Sequence, residues 1–259
     1  SFAWSTDFNF STLKNEVESL GSIDRIISSN NIIEPGLPLR SFYGYEVEGI
    51  WQEGDDYSVI SNNVQAGDFK FRDVNGDGVI NANDRVILGN SFPDFVIGLG
   101  NTLSYKSVDF HFFFEGVTGI NMLNDYLVET YFPRVNSPRA NRLATPFLNR
   151  WTPDNPTNEY PSFLNPNSQQ GQSINSRTVV DASYLKLQTA RITFNVPERL
   201  LSNVLRSAQV YVSGQNLWTL TDYDGFDPAL NPGGNSFLRV DRNGYPSART
   251  FLVGVNVEF

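Results

Sequence analysis

An all-β chain, with its strands antiparallel and forming part of the wall of a transmembrane barrel, is predicted by three features of this 259-residue sequence. Segments of about ten residues alternate apolar and polar side chains with a period of two. The connections between them are alternately short and long, as in barrels with tight turns at one rim and long loops at the other. One hairpin strand sets a row of Val and Phe against acids and a histidine, so that one face suits hydrocarbon and the other water.

Taken in order, residues 1–13 alternate around Phe2, Trp4, Phe8 and Phe10 and read as a strand. A polar stretch with Gly21, Pro35, Gly36 and Pro38 reads as loop. Residues 42–51, rich in aromatics and interrupted by Gly44 and Gly49, are expected to be the second strand. Residues 53–92 leave the strand pattern. Phe95, Ile97, Leu99, Leu103 and Tyr105 then share one parity, and after a tight turn at Lys106-Ser107 so do Val108, Phe110, Phe112 and Phe114. Asp109, His111 and Glu115 take the other face, where Phe113 is an exception.

Residues 118–181 form a long Pro-rich segment in which Tyr131, Trp151 and Tyr160 look exposed. Residues 182–196 resume the strand pattern with a change of apolar parity, which predicts a bulge near Thr189-Ala190. A short turn or helix over 197–206 leads to a strand at 208–220, a Gly/Asp/Asn/Pro loop over 221–247, and a last strand on Phe251, Val253, Val255, Val257 and Phe259. The expectation is about seven wall strands.

The loop from Asp73 to Asp84 carries the clearest motif. Asp73, Asn75, Asp77, Asn81 and Asp84 stand at positions 1, 3, 5, 9 and 12 of a twelve-residue EF-hand-type or dockerin-like loop. Gly78 falls at the position of the sharp turn, and Val79 would ligate through its carbonyl. Oxygen donors at this spacing point to Ca²⁺ in a structural role. Asp at position 12, where EF-hands place Glu, leaves its denticity open. The alternative is an Asn/Gly-rich turn that holds no ion.

Composition narrows the function. A net charge of −9 argues against a nucleic-acid partner. Cysteine is absent, so neither disulfides nor thiolate metal sites arise. The only histidine, His111, lies in a Phe-rich strand, and no Walker A, G-x-S-x-G or H-E-x-x-H pattern is present. No enzymatic activity is expected, and His111 is expected to line a wet lumen. The chain starts without Met inside an alternating segment, so it reads as a piece of something longer.

These residues carry a family resemblance. Ser41-Phe42-Tyr43-Gly44-Tyr45 with Gly49-Ile50-Trp51, Gly67-Asp68 before the ion loop, and Arg150-Trp151-Thr152-Pro153 with Asn155-Pro156 resemble the SusC/RagA family of TonB-dependent outer-membrane transporters. Further collinear matches are Ser183-Tyr184-Leu185-Lys186-Leu187, Ser213-Gly214-Gln215-Asn216-Leu217, Gly225 with Asp227-Pro228, and Arg249-Thr250-Phe251. A terminal Phe259 closing Gly254-x-x-Val257-x-Phe259 is similar to the assembly signal of outer-membrane barrels, with Leu252 a departure from it.

The resemblance implies the C-terminal part of a large, 22-stranded antiparallel transmembrane β-barrel with long extracellular loops, the loop 53–92 with its ion motif among them. It implies an outer-membrane location, a SusD-like surface lipoprotein as partner, and energy from the TonB complex through an N-terminal plug. It also implies uptake of oligosaccharides or oligopeptides. Tyr131, Trp151, Tyr160 and Tyr223 are candidates for substrate contact, with loop packing or interface anchoring as the competing roles. A secreted calcium-binding β-sandwich module that binds glycan is the other fold and function the pattern permits.

Overall fold

A computed structural model describes residues 1–57, 64–125, 127, 143–162, 174–201, 204–230, 238–242 and 244–259. Its strands are β1 (Phe2–Thr12), β2 (Ile26–Ile27), β3 (Asn31–Ile33), β4 (Ser41–Tyr45), β5 (Val47–Ile50), β6 (Phe69–Phe71), β7 (Arg85–Gly89) and β8 (Phe95–Tyr105). Then come β9 (Val108–Thr118), β10 (Asn121–Asn124), β11 (Val179–Asp181), β12 (Tyr184–Asn195), β13 (Ser207–Leu220), β14 (Val240–Asp241) and β15 (Thr250–Glu258).

Six of them, in the order β1-β8-β9-β12-β13-β15, form an antiparallel meander. Each has 9 to 14 residues, enough to cross a bilayer when tilted. The register aligns apolar residues across the whole sheet. One row runs Trp4, Leu103, Phe110, Ile192, Val212, Val253. The adjacent row, on the opposite face, runs Ser5, Thr102, His111, Arg191, Ser213, Leu252. The apolar side is open: Trp4, Ile192 and Val253 are 66%, 54% and 72% exposed. In water such a surface would be a large uncovered patch, whereas in a bilayer it is the contact surface.

The turn at Lys106-Ser107 is as short as expected, with Tyr105 paired to Val108 and Lys106 at φ +53°. Left-handed backbone at the first central position matches the twist of a two-residue hairpin. The second short link, residues 196–206, holds one 3₁₀ turn at Glu198–Leu200. The links 13–94, 119–183 and 221–249 are long and leave from the opposite end of the sheet, where Thr12, Thr118 and Leu220 stand. The bulge falls at Gln188, between Leu187 and Thr189, one residue before the expected position. Phe113 lies on the polar face opposite Gly100, its ring 3.7 Å from where a Gly100 Cβ would stand.

The second expected wall strand needs correction. Residues 42–51 split into β4 and β5, which pair in separate small sheets, β2-β3-β4-β7 and β5-β6, so the wall has six strands here and not seven. The partners of these strands are loop residues that approach closely at both glycines. A Cβ on Gly44 would lie 2.2 Å from the Ile174 carbonyl oxygen, and one on Gly49 would lie 3.0 Å from Asn158 Oδ1. The chain here is shaped for close approach of other loops.

The buried core lies in these loops. One cluster packs Ile50, Phe69, Phe71 and Trp151, and another packs Phe42, Leu123, Ile174, Val179 and Leu238. A third, with Val117, Ile120, Met122, Ala182, Tyr184 and Tyr223, seats the loop body on the end of the wall. Short strands β6, β7, β10, β11 and β14 lie inside segments that read as irregular. At two to five residues they are too brief to show a period.

Candidate functional site

The loop Asp73 to Asp84 hangs between β6 and β7. Gly76 and Gly78, at φ +72° and +76°, let it coil back on itself. Asp73 Oδ1 accepts from Gly76 N at 2.7 Å and Oδ2 from Gly78 N at 2.8 Å. Asn75 Oδ1 accepts from Asp77 N, and Asp77 Oδ1 from Val79 N. Asp84 is fully buried, its oxygens accepting from Val74 N at 3.0 Å and Asn81 N at 2.8 Å. Asn81 caps the 3₁₀ turn Ala82–Asp84 through Asn83 N, while its Nδ2 donates to Val79 O. The first and last acids thus close one loop.

The backbone amide of Gly78 lowers the Asp73 carboxyl below its ordinary value, aided by Gly76, Asp77 and Asp84 and opposed by burial. This carboxylate stays charged at neutral pH. The donor set is compatible with a hard cation: each carboxylate oxygen bonded to one amide keeps a lone pair. Among the described residues no cluster of three His, Cys, Asp or Glu is arranged for a metal. Asn75, Asn81 and the Val79 carbonyl would therefore have to supply the remaining oxygens, and Asn81 Nδ2 would have to leave Val79 O.

Beside this loop lies an open cleft of about 690 Å³, bordered by Asp73, Gly76, Asp77 and Gly78. Trp51 and Phe71 line it, and Lys70 Nζ sits 4.7 Å from the centroid of the Trp51 ring. A second cavity, about 460 Å³, forms where all three long connections meet. Phe69 comes from the first; Leu127, Glu159, Tyr160, Ser176, Arg177 and Val180 come from the second; Asp224 comes from the third.

Tyr160, expected from sequence to contact substrate, is half-buried and lines this cavity. Trp151 is not exposed as expected: it is 3% exposed, packs on Ile50, Phe69 and Phe71, and donates from Nε1 to Gln52 Oε1 at 2.8 Å. Tyr223 is 5% exposed and donates to Asp241 Oδ2 at 2.6 Å. Burial first, then Asp241, raises its phenol above the ordinary value. Both rings are core, because the loops fold into a body that covers them. Tyr131 lies outside the described residues. Glu159, Arg177 and Asp224 carry no local pattern and become neighbours only through folding.

The inner face of the wall is densely hydrogen-bonded. His111 Nδ1 lies 3.0 Å from Thr102 Oγ1. Tyr184 and Gln188 both donate to the Glu115 carboxylate. Arg191 lies over the Tyr211 ring at 3.8 Å, and Asn195 donates to Asp109. Polar groups on this side meet water or a polar filling, while the other face meets lipid.

A meander apolar outside, polar inside and capped by folded loops at one end is a segment of an outer-membrane β-barrel. No family model matches the chain. Over its full length it is 35% identical to the TonB-dependent receptor P3 of Formosa agariphila and 34% identical to receptor P26 of the same organism, covering 27% of each. It is 24% identical to the TonB-dependent receptor SusC of Bacteroides thetaiotaomicron, covering 24% of that protein. The RagAB peptide importer in its open-open state superposes on the whole chain with a TM-score of 0.77 at 23% identity, over 27% of that structure's chain. The closed-closed state gives 0.74 at 25% identity.

The chain therefore spans about a quarter of the length of the relatives it matches. It is similar to the SusC/RagA-type TonB-dependent receptors and matches the C-terminal portion of their outer-membrane barrel. The secreted sandwich has no support: the apolar rows remain open in the fold, and the relatives are receptors of the outer membrane.

Proposed function

We propose that this chain supplies wall strands and cell-surface loops to an importer of oligomeric nutrients, energised through TonB and covered by a SusD-like surface lipoprotein. The observation that carries this reading is the pairing of a six-strand wall, apolar rows outward, with three long connections folded into one body at the same rim. The matched receptors are TonB-dependent by name and the RagAB neighbours are described as a peptide importer, which supports oligopeptide cargo, while oligosaccharide is the other cargo that the family resemblance implies. On this reading the rim with the long connections, including residues 53–92, faces outside the cell. The work asked of the chain is enclosure and recognition, with no bond made or broken.

The loop Asp73 to Asp84 would hold a structural Ca²⁺ through Asp73, Asn75, Asp77, Val79, Asn81 and Asp84, which would stiffen the link between β6 and β7. The import reading is tested by deleting the full-length gene in its host and following uptake of oligosaccharide and oligopeptide mixtures. Co-purification of a surface lipoprotein with the tagged receptor and loss of uptake in a TonB-deficient strain are expected. Unchanged uptake of both mixtures in the deletion strain overturns the reading.

A further inference from the structure

We infer that Arg239 anchors a carboxylate carried by the part of the receptor that lies outside these 259 residues. This rests on the reading of the chain as a portion of a longer receptor, and not on what that receptor carries. Arg239 belongs to the connection between β13 and β15, and its main chain is pinned on both sides. Its N–H donates to Ser91 Oγ at 2.9 Å, and its carbonyl accepts from Leu123 N at 3.0 Å. Leu238 and Val240, the residues before and after it, pack in the loop core. The side chain therefore has little freedom to swing out into water.

The guanidinium is half-buried near Tyr184, whose hydroxyl donates to Glu115 on the inner face of the wall at 2.7 Å. Burial holds its pKa below the ordinary value. What sets it apart is the lack of a counter-charge. Nη1 is closed off without an acceptor, and among the described residues the guanidinium makes no hydrogen bond or ion pair. The acids of the surrounding segments are engaged elsewhere. Glu115 accepts from Tyr184 and Gln188, Asp227 from Ala229 N and Ser247 N beside Lys186 Nζ, and Asp241 from Tyr223 and Gly244 N.

An arginine held away from water without a partner is destabilising, and a carboxylate is the group its planar fork fits. Of the three side-chain nitrogens only Nη1 is sealed, which leaves the Nε and Nη2 edge for two parallel bonds to one carboxylate. A partner that arrived with cargo would leave the charge bare whenever the importer emptied. A resident carboxylate removes that cost throughout the cycle. The chain covers 27% of each matched receptor, so most of such a protein is available to supply it.

The experiment uses the full-length receptor purified in detergent with its lipoprotein. In the Arg239→Lys variant the cation is kept as an amine, which a carbodiimide joins to any carboxylate in contact with it, and peptide mass spectrometry locates the link. The expected link runs from position 239 to an Asp or Glu of the receptor outside this chain. In the Arg239→Met variant, hydrogen exchange of the linked segment is expected to be at least tenfold faster than in the wild type, whereas Arg239→Lys keeps most of the protection. Thermal unfolding checks that both variants remain folded.

A link to an acid of this chain, to the lipoprotein or to an added acidic peptide overturns the assignment. So does the absence of any link, or unchanged exchange in folded Arg239→Met. A gene product that ends with this chain alone removes the receptor reading itself, whereas a full-size receptor without the link overturns only the role of Arg239.

Discussion

Lys186 Nζ lies 3.6 Å from Asp227 Oδ2, and both side chains are shielded from solvent. Lys186 is on a wall strand, and Asp227 is in the connection between β13 and β15, so this ion pair fastens a long loop to the inner face of the barrel. Asp227 also accepts from Ala229 N and Ser247 N. Near it, Thr221 Oγ1 donates to Ser183 O at 2.7 Å.

Removing one partner leaves the other charge buried, which costs about 3–5 kcal/mol. Lys186→Ala and Asp227→Ala should each loosen the 221–249 connection more than Lys186→Met combined with Asp227→Leu. Hydrogen exchange of that segment in the full-length receptor is the measurement. Equal protection in all three variants contradicts the assignment.

The same carboxylate sets a pH dependence. Burial opposes its charge, but Ser247, the amides of Ala229 and Ser247, and Lys186 outweigh burial and hold the carboxyl below its ordinary value. A group depressed on folding contributes its stability above its unfolded value, about 3.9 for Asp, and loses it as pH falls through the lower folded value. The connection should stay fastened from neutral pH down to about 4 and loosen only below that. Asp227→Asn should remove the acid transition, as read by exchange or by tryptophan fluorescence.

On the ion loop, Asp73→Ala and Asp77→Ala should each weaken Ca²⁺ binding by calorimetry. Ca²⁺ should also protect residues 73–84 from protease in the wild type. Unchanged affinity in both variants would remove the ion from the description.

The outer face can be tested residue against residue. Phe112→Arg places a charge near the middle of the wall on the lipid side and should cost about 2–4 kcal/mol. His111→Arg, one residue away on the polar face, should cost far less. Detergent-resistant folding assays of the whole barrel distinguish them, and equal losses would contradict the assignment of faces.

Gly44 is where a loop meets a strand without clearance. Tyr45 N donates to Ile174 O at 3.0 Å and Ser176 N to Tyr45 O at 2.9 Å, so residues 174–176 run tightly along β4. Gly44→Ala must push the Ile174 carbonyl away and should destabilise the loop body by about 1–3 kcal/mol. Faster proteolysis within the segment 143–178 is the expected readout.

The ends of the scale of legibility are Trp4 and Trp151. Trp4 sits in an alternating run, and its outward placement follows from a period of two that any neighbouring strand must respect. The same local rule made the hairpin at Lys106-Ser107, the bulge beside Thr189 and the three long connections readable in advance. It misplaced residues 42–51 because alternation with aromatics looks the same in a wall strand and in a short strand beneath a loop. The ion-loop proposal comes from spacing, since all the oxygen donors it names lie within twelve consecutive positions.

Sequence by itself determined the alternation of the six long strands, the short turn at Lys106-Ser107 and the rim that bears the long connections, and it added residues 42–51 to the wall in error. Tertiary structure alone decided that the connections fold into one body, that Trp151 and Tyr223 are interior, and that Tyr160, Arg177 and Asp224 share a cavity. The reason is distance along the chain. Strand alternation is written within ten residues, whereas burial in the loops depends on contacts such as Trp151 with Gln52, 99 residues apart, which no local pattern records.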